Sequence, residues 1–199
     1  YFLPAIQREF VWEPERIEKL FDSIMGDYPI GSFLFWKVDE KNKDEWTAYE
    51  FVRAFDKESP HNQEADLRGI SRDIHFILDG QQRLTSLYVG LRGTYRYRYY
   101  SWKTTKLFLN LLKKPVPDED NPEELTYGFK FREPDESPED GELWYEVGRI
   151  LDFADAVDAA ADIKPLVAAL PEEVKENASR LILRLHARGH TIPFINYYE

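Results

Sequence analysis

The sequence predicts an α+β fold, and three stretches of the chain carry the prediction. Residues 13–25 have the apolar spacing of a helix. Residues 75–91 change from a strand period of two to a helix period of 3.6. Residues 94–131 contain several strand-like runs, and residues 143–189 are mainly helical in pattern. Strands and helices that are partly segregated along a chain in this way are typical of α+β proteins.

The first predicted helix covers residues 13–25. Pro14 suits the first helical position, and Glu15 lies favourably at the positive end of the helix dipole. Gly26 provides a natural stop after the last apolar position. The residues predicted to face the core are Ile17, Leu20, Phe21 and Ile24. We interpret this helix as scaffold.

A predicted strand and a long charged stretch come next. Residues 32–38, SFLFWKV, have the composition of a strand. Gly31 precedes the strand and predicts either a bend or a point where a ligand approaches the backbone closely. Residues 39–72 are mostly charged and predict a surface excursion between two core strands, helical around residues 45–55.

The central feature is a strand that leads directly into a helix. The short apolar run 76–78 predicts a buried strand, and Asp79-Gly80 predicts a tight turn. A helical stripe then follows, formed by Leu84, Leu87, Tyr88 and Leu91.

The start of this helix carries polar chemistry. With Asp79 as the predicted N-cap, the first-turn N–H groups of Gly80, Gln81 and Gln82 have no acceptor inside the helix. Together with the helix dipole they form an anion site, and Arg83 adds a guanidinium suited to phosphate. A structural alternative is equally compatible with the spacing: Asp79 and Gln82 form a capping box, and Arg83 pairs with a surface carboxylate.

The stretch 94–102, TYRYRYYSW, allows two interpretations. Aromatic rings interleaved with Arg96 and Arg98 could stack on bases and contact phosphates. An alternating strand, with arginines on one face and tyrosines on the other, explains the same pattern. The acidic balance of the chain favours the strand. Further strands are predicted at 106–112 and 127–131.

The last part of the chain is predicted to be helical, with one final strand. A helix is expected over 171–189, ended by Gly189, and a strand at 192–195. His186 and His190 are four residues apart, but a helix end between them would separate them as metal ligands. Four aspartates recur at helical spacing and favour a solvated helix face over a divalent-cation site; these are Asp152, Asp155, Asp158 and Asp162.

Composition limits the classes of function. The net charge of −11 argues against an extended face that grips duplex DNA. The absence of cysteine excludes disulfides and thiolate metal sites, and suits a cytoplasmic protein. No run approaches the ~20 apolar residues needed to cross a bilayer, so no membrane association is expected. We expect residues 1–199 to form a single domain, the N-terminal part of a longer protein.

Three strings resemble the N-terminal domain of the GmrSD family, prokaryotic restriction systems that attack modified foreign DNA. The strongest is DGQQR followed by Leu-Thr, at residues 79–85. The second is residues 3–12, LPAIQREFVW, and the third is residues 28–32, YPIGS. Order and spacing also agree, whereas residues 92–199 resemble the family only loosely.

The resemblance implies a ParB/sulfiredoxin-like fold, with a small mixed sheet and packed helices, in which a strand-turn-helix unit holds nucleotide phosphates. It further implies binding and hydrolysis of a nucleoside triphosphate (GTP, ATP, CTP or UTP) with Mg²⁺. That activity would be coupled to an HNH-type nuclease domain or partner outside this chain, and DNA would be contacted through other domains or weakly here. The implied nucleotide-binding residues are Gln7, Arg8, Gly80, Gln81, Gln82 and Arg83. We expect Arg83 and Asp79 to be catalytic, and Asp79 could hold the metal ion or orient water, or it could be only the helix cap.

Two alternatives remain open at this stage. In one, the same pocket reads a DNA backbone or a modified base without chemistry, and Phe10, Trp12, Arg96 and Arg98 contribute to the DNA contact. In the other, the segment is itself a nuclease. The sequence favours this least, because it shows neither a histidine metal cluster nor a catalytic carboxylate pair.

Overall fold

The computed structural model describes residues 1–5, 9–51, 55–59 and 61–190. It confirms the predicted α+β class, since helices and small sheets both occur. The helices are α1 Pro14–Met25, α2 Gln81–Leu91, α3 Ala156–Val167 and α4 Glu172–His190, with short 3-10 helices at Glu40–Glu45 and Val147–Asp152. The strands are β1 Phe2–Pro4, β2 Leu34–Val38, β3 Ala48–Glu50, β4 Phe55–Asp56, β5 Ile74–Asp79, β6 Tyr95–Arg98, β7 Trp102–Asn110, β8 Val116–Pro117, β9 Leu125–Thr126, β10 Phe129–Arg132 and β11 Trp144–Glu146.

Two sheets organise the described part of the chain. The first sheet has the strand order β2-β5-β1-β3, with β1 and β5 parallel and the other pairs antiparallel. The second sheet has the order β10-β7-β6-β4, and β11 pairs with the second half of β7. A separate ribbon is formed by β8 and β9.

Helix α1 packs against the edge strand of the second sheet. Its apolar side buries Ile17, Leu20 and Phe21 as predicted. On the same helix, Glu18 Oε1 accepts a hydrogen bond from the Phe131 N–H at 2.8 Å, and Asp22 Oδ1 accepts one from the Tyr127 N–H at 2.6 Å. These carboxylates supply acceptors for outward-facing N–H groups at the edge of a sheet, where no further strand is available.

Several predicted elements were wrong in type or extent. The described residues after Glu45 in this region are not helical: Ala48–Glu50 form β3, which pairs with β1, and β4 begins at Phe55. Residues 94–102 do not form one strand. Strand β6 ends at Arg98, a turn follows, and β7 starts at Trp102, so that β6 and β7 form a hairpin. Both errors arise where pairing with a distant strand, or a turn, overrides local propensity.

Helix α4 continues through Gly189 to His190, so the predicted stop was also wrong. His186 and His190 therefore lie one turn apart, with ring centroids separated by 4.4 Å. Their Nε2 atoms lie 3.2 Å from Phe153 O and 3.3 Å from Ile150 O, so both rings secure α4 to the preceding 3-10 helix. The strand predicted at 192–195 lies outside the described residues.

None of the helices in the described ranges combines the length and apolar character that a membrane crossing requires. Most buried side chains form one apolar cluster that draws on α1, both sheets, α3 and α4. A second, smaller cluster lies on the first sheet, around Val38, Ala48, Leu67, Ile74 and Phe76.

Candidate functional site

The candidate site lies where two parallel strands of the first sheet end. Phe2 of β1 is in register with Phe76 of β5, so the carboxyl ends of the two strands meet at one edge of the sheet. Strand β5 ends at Asp79 and leads through Gly80 into α2. In open sheets with parallel strands, ligands commonly bind outside the carboxyl ends of those strands. We call Asp79, Gly80, Gln81, Gln82 and Arg83 the α2 tip.

Gly80, not Asp79, is the N-cap of α2. Its φ of 82° is left-handed, and no side chain in the described ranges caps the helix. A Cβ at position 80 would lie 2.5 Å from Cδ1 of Phe33, a residue that is itself buried. The prediction that Asp79 caps the helix was therefore wrong, because the left-handed turn at Gly80 carries the aspartate away from the first-turn N–H groups.

The alternative capping box was wrong as well, because Gln82 bonds elsewhere. Gln82 Oε1 accepts a hydrogen bond from the Val11 N–H at 2.9 Å, and its Nε2 donates to Glu9 O at 2.8 Å. The side chain therefore ties the start of α2 to a chain segment 71 residues earlier in the sequence.

Arg83 ties a second segment to the α2 tip. Its Nη1 donates to Ile30 O at 2.6 Å and its Nη2 to Ser32 O at 2.7 Å, while Asp79 Oδ2 lies 3.4 Å from Nη2. Gly31 has a φ of 84°, and a Cβ there would lie 2.0 Å from Nη1. Of the two interpretations of Gly31, the structure shows the bend, and the group that approaches it closely is the guanidinium.

Gln81 is the most unusual residue of the α2 tip. The residue is only 4% exposed, yet among the described residues neither its Oε1 nor its Nε2 has a hydrogen-bond partner. Thr85, one turn further along, is fully buried, and its hydroxyl is also unpartnered. A buried polar group left unpaired costs about 1–3 kcal/mol, so such a group in a native protein requires an explanation such as a water or a ligand.

Asp79 is exposed beside these buried groups, with 68% of its side chain accessible. The α2 tip is therefore open to solvent on the side of this carboxylate. Within the described ranges, no three histidine or acidic side chains are grouped so that they could hold a metal ion. Asp155 caps α3, Asp152 pairs with Arg92, and Asp162 pairs with Arg149. The favoured interpretation of that series as the solvated face of one helix was therefore wrong: only Asp158 and Asp162 lie within α3, and the Asp162 side chain is 19% exposed.

The predicted residues near the N-terminus are only partly described. Gln7 and Arg8 lie outside the described residues. Their described neighbours, Ala5 after β1 and Glu9 on the Gln82 amide, lie at or next to the edge that carries the α2 tip. A cavity of about 280 Å³ lies at the carboxyl end of β1, and Pro4, Glu9 and His61 are among its lining residues.

The possible DNA-contacting residues do not form one surface. Phe10 is 2% exposed and packs edge-on against Phe55, so it belongs to the core and is not accessible to DNA. Arg96 stacks on Trp102, and its Nη1 lies 2.6 Å from Asp56 Oδ2 and 2.9 Å from Glu58 Oε2. Arg96 therefore pairs with acidic side chains of the protein itself, within strand β6.

The other residues considered for DNA contact differ in how exposed they are to solvent. Trp12 is partly buried beneath the Arg16 guanidinium, 4.3 Å from the ring centroid. Arg98 is exposed, as are Tyr99 and Tyr100 in the turn between β6 and β7. Among the aromatic and arginine residues considered for DNA contact, this turn therefore offers the most accessible surface.

Sequence reasoning missed how α2 is buried. Of the predicted stripe only Leu87 is fully buried, while the polar residues Gln81, Gln82, Thr85 and Ser86 are. Leu84, Leu87, Tyr88 and Leu91 line a cavity of about 790 Å³ that also borders Leu151 and His190. The unusual density of polar residues at 81–86 is the sequence signal that could have indicated a buried polar interface.

Comparison with known proteins supports the resemblance and extends it. The family model of the GmrSD restriction endonuclease N-terminal domain matches residues 1–191, well beyond the motifs at residues 3–91. The uncharacterized protein MJ0686 of Methanocaldococcus jannaschii is 33% identical over 122 residues, which cover 60% of this chain and 19% of that protein. The chain thus spans about a fifth of the length of that relative. Since the family model covers nearly all of the chain, this protein belongs to the GmrSD restriction endonuclease N-terminal domain family.

Proposed function

We propose that this chain binds and hydrolyses a nucleoside triphosphate within a restriction system that acts on modified foreign DNA, and that hydrolysis gates a nuclease domain outside the chain. The observation that carries the proposal is the α2 tip. It combines an uncapped helix start, a left-handed glycine and a buried, unpaired glutamine amide. Family membership supports the restriction context, and the α2 tip supports the nucleotide.

The α2 tip has the donors that a phosphate requires. First-turn N–H groups and the positive end of the helix dipole favour an anion, and Gly80 carries no Cβ to obstruct it. Gln81 would turn its unpaired amide to the nucleotide. Arg83 has five N–H donors, of which two bind Ile30 O and Ser32 O, so others remain for a phosphoryl oxygen. From the family resemblance we expect Gln7 and Arg8 to assist.

Phosphoryl transfer depends mainly on positioning and electrostatic stabilisation, which suits a site rich in donors. Asp79 is exposed at the α2 tip and would orient the attacking water. Mg²⁺ is commonly held by one or two carboxylates together with the substrate phosphates, so a single Asp79 fits that mode. When bound, the ion would neutralise charge on the phosphates.

Gln81→Leu gives the sharpest test, because we expect stability and affinity to change in opposite directions. Removing an unpaired buried amide should raise the free energy of unfolding by about 1–2 kcal/mol, while loss of the ligand contact should weaken triphosphate binding by about 10-fold. Urea denaturation measures the first. Calorimetry with a non-hydrolysable triphosphate and Mg²⁺ measures the second.

Thr85→Val is the matched control. It also removes an unpaired buried group but lies one turn from the α2 tip, so stability should rise and affinity should stay unchanged. Wild-type affinity in Gln81→Leu, or a loss of stability, would contradict the role assigned to Gln81. Arg83→Ala is a less clean test, since it would also release the Ile30–Ser32 bend.

A second candidate is a non-enzymatic module that recognises DNA. The observation in its favour is the exposed turn that carries Arg98, Tyr99 and Tyr100, where rings are available for stacking on bases. A phosphate-release assay with GTP, ATP, CTP and UTP separates the two candidates. Release with any of the four supports hydrolysis, and binding of DNA without release supports the module.

A further inference from the structure

We propose that the side chain of Gln82 positions the α2 tip rather than contacting the nucleotide, and that it couples the α2 tip to the segment Glu9–Glu13 and thereby to the second sheet. The inference rests on the proposed function and assigns a role to one residue of its site. Three observations carry it: the hydrogen bonds of the Gln82 side-chain amide, the contacts of the segment Glu9–Glu13 with the second sheet, and the burial of Gln82.

Both polar atoms of the Gln82 side chain bond main-chain groups. Its amide accepts from the Val11 N–H and donates to Glu9 O, the pattern by which one strand bonds its neighbour. The residue is 8% exposed, so water replaces these bonds poorly. A side chain bonded in this way has little capacity left for a ligand.

The segment that Gln82 holds continues into the second sheet. Phe10 packs on Phe55 of β4, with ring centroids 4.9 Å apart. The hydroxyl of Tyr95, in β6, donates to Trp12 O at 3.2 Å and lies 3.4 Å from Glu13 Oε2. Contiguous contacts therefore run from the start of α2 to two strands of the other sheet.

The main-chain amide and the side chain of Gln82 face different partners. An anion at the first turn of α2 would bind the backbone N–H of Gln82, while the side chain holds Glu9 and Val11. Fixing the backbone at the α2 tip would restrict the side chain, and hence the segment. Occupancy of the site would thus be transmitted to the second sheet through one residue.

The test is Gln82→Met, which keeps the side-chain length and removes both hydrogen bonds. In the free protein, exchange of the Val11 amide should accelerate about 10-fold, as expected for loss of one buried hydrogen bond. In the wild type, a non-hydrolysable triphosphate with Mg²⁺ should slow exchange at Val11, Phe55 and Tyr95. In the variant this slowing should vanish, and affinity should fall about 10-fold.

Asn177→Leu is the matched control. The Asn177 side chain is also a buried amide, and its Nδ2 donates to Leu111 O and Lys113 O at 3.3 Å, remote in sequence from the α2 tip. It should lose stability without changing affinity or Val11 exchange. If Gln82→Met does not fold, Gln82→Glu retains the acceptor for the Val11 N–H and allows the same exchange measurement.

The outcomes are distinct. Equal ligand protection of residues 9–13 in wild type and variant, or unchanged Val11 exchange in the free variant, would overturn the positioning role while leaving the proposed function intact. A wild type that binds none of the four triphosphates would overturn the proposed function, and the coupling with it. Loss of affinity together with lost protection at Phe55 and Tyr95 supports the inference.

Discussion

Helices α2 and α3 both have an aspartate near their first residue, but the two helix starts differ. Asp155 is the N-cap of α3, and its Oδ1 accepts from the N–H groups of Val157 and Asp158, each at 2.9 Å. Asp79 is separated from α2 by the left-handed Gly80 and caps nothing. The start of α3 is thus capped by an aspartate side chain, whereas no described side chain caps the start of α2.

The difference indicates that specific contacts hold the uncapped start of α2 in place. Around α2, Gln82 and Arg83 anchor two flanking segments, while Gln81 stays buried without a partner. The start of α3, by contrast, is mostly exposed, and its N-cap aspartate bonds the first-turn N–H groups directly. A buried polar group without a partner requires an explanation, and at the α2 tip it lies beside an uncapped helix start, which is why we propose the α2 tip as the site.

The largest effect in this comparison is expected from Gly80→Ala, which would distort the open start. A left-handed conformation costs a residue with a Cβ about 1–2 kcal/mol, and the contact with the buried Phe33 ring adds about 1–3 kcal/mol. We expect the free energy of unfolding to fall by about 3 kcal/mol and triphosphate binding to be lost. Chemical denaturation and calorimetry measure these two effects.

Gly141→Ala is the control for backbone strain alone. Gly141 has nearly the same φ, 83°, but a Cβ there meets no atom within 4 Å. Its loss of stability should be only about 1–2 kcal/mol. Equal losses in the two variants would show that Phe33 yields to the added methyl group and that packing at the α2 tip is looser than the structure indicates.

The next-largest effect concerns two carboxylates of α1, Glu18 and Asp22, which accept hydrogen bonds from main-chain N–H groups at the edge of the second sheet. Burial raises the pKa of Glu18 to about 7, despite the hydrogen bond from Phe131, and burial raises the pKa of Asp22 to about 6. A raised pKa means that the folded protein holds the proton more tightly than the unfolded chain. The associated stability is therefore complete below about pH 4.5 and is lost as the pH rises through about 7.

Glu18→Gln should remove much of this pH dependence. The amide oxygen can still accept from the Phe131 N–H, but no charge develops in the buried site. At pH 8 we expect the variant to be more stable than the wild type by about 2 kcal/mol, with little difference at pH 4.5. Urea denaturation between these values measures the change, and Glu176→Gln, at an exposed position of α4, serves as control. An undiminished slope would contradict the assignment.

Elements with strong local signals could be predicted from sequence. The stripe of α1 and the strand-turn-helix unit formed by β5 and α2 occur where periodicity placed them, within a few residues. Strand β3 could not be predicted in this way, because it is three residues long and its register is set by pairing with β1. Short strands of this kind depend on distant partners more than on their own propensity.

The candidate site was predictable as a location but not in its internal bonding. The DGQQR string indicated the α2 tip, yet the partners of Gln82 and Arg83 lie more than 50 residues earlier in the chain. The left-handed turn at Gly80, which prevents Asp79 from capping, is equally invisible to residue spacing. Within the α2 tip, Gln82 and Arg83 hold flanking segments in place, and the Gln81 amide stays unpaired. Only the three-dimensional contacts reveal this division.

The smallest effect comes from comparing the two aspartates directly. Asp155→Ala should lower the free energy of unfolding by about 1 kcal/mol, because two N–H groups at the start of α3 lose their acceptor. Asp79→Ala removes only an exposed contact with Arg83 at 3.4 Å and should change stability by less than about 0.5 kcal/mol. Denaturation measures both, and phosphate release should be impaired in Asp79→Ala alone. A loss of stability in Asp79→Ala as large as that in Asp155→Ala would mean that Asp79 does close the start of α2 in solution, and the contrast between an open and a closed helix start would no longer hold.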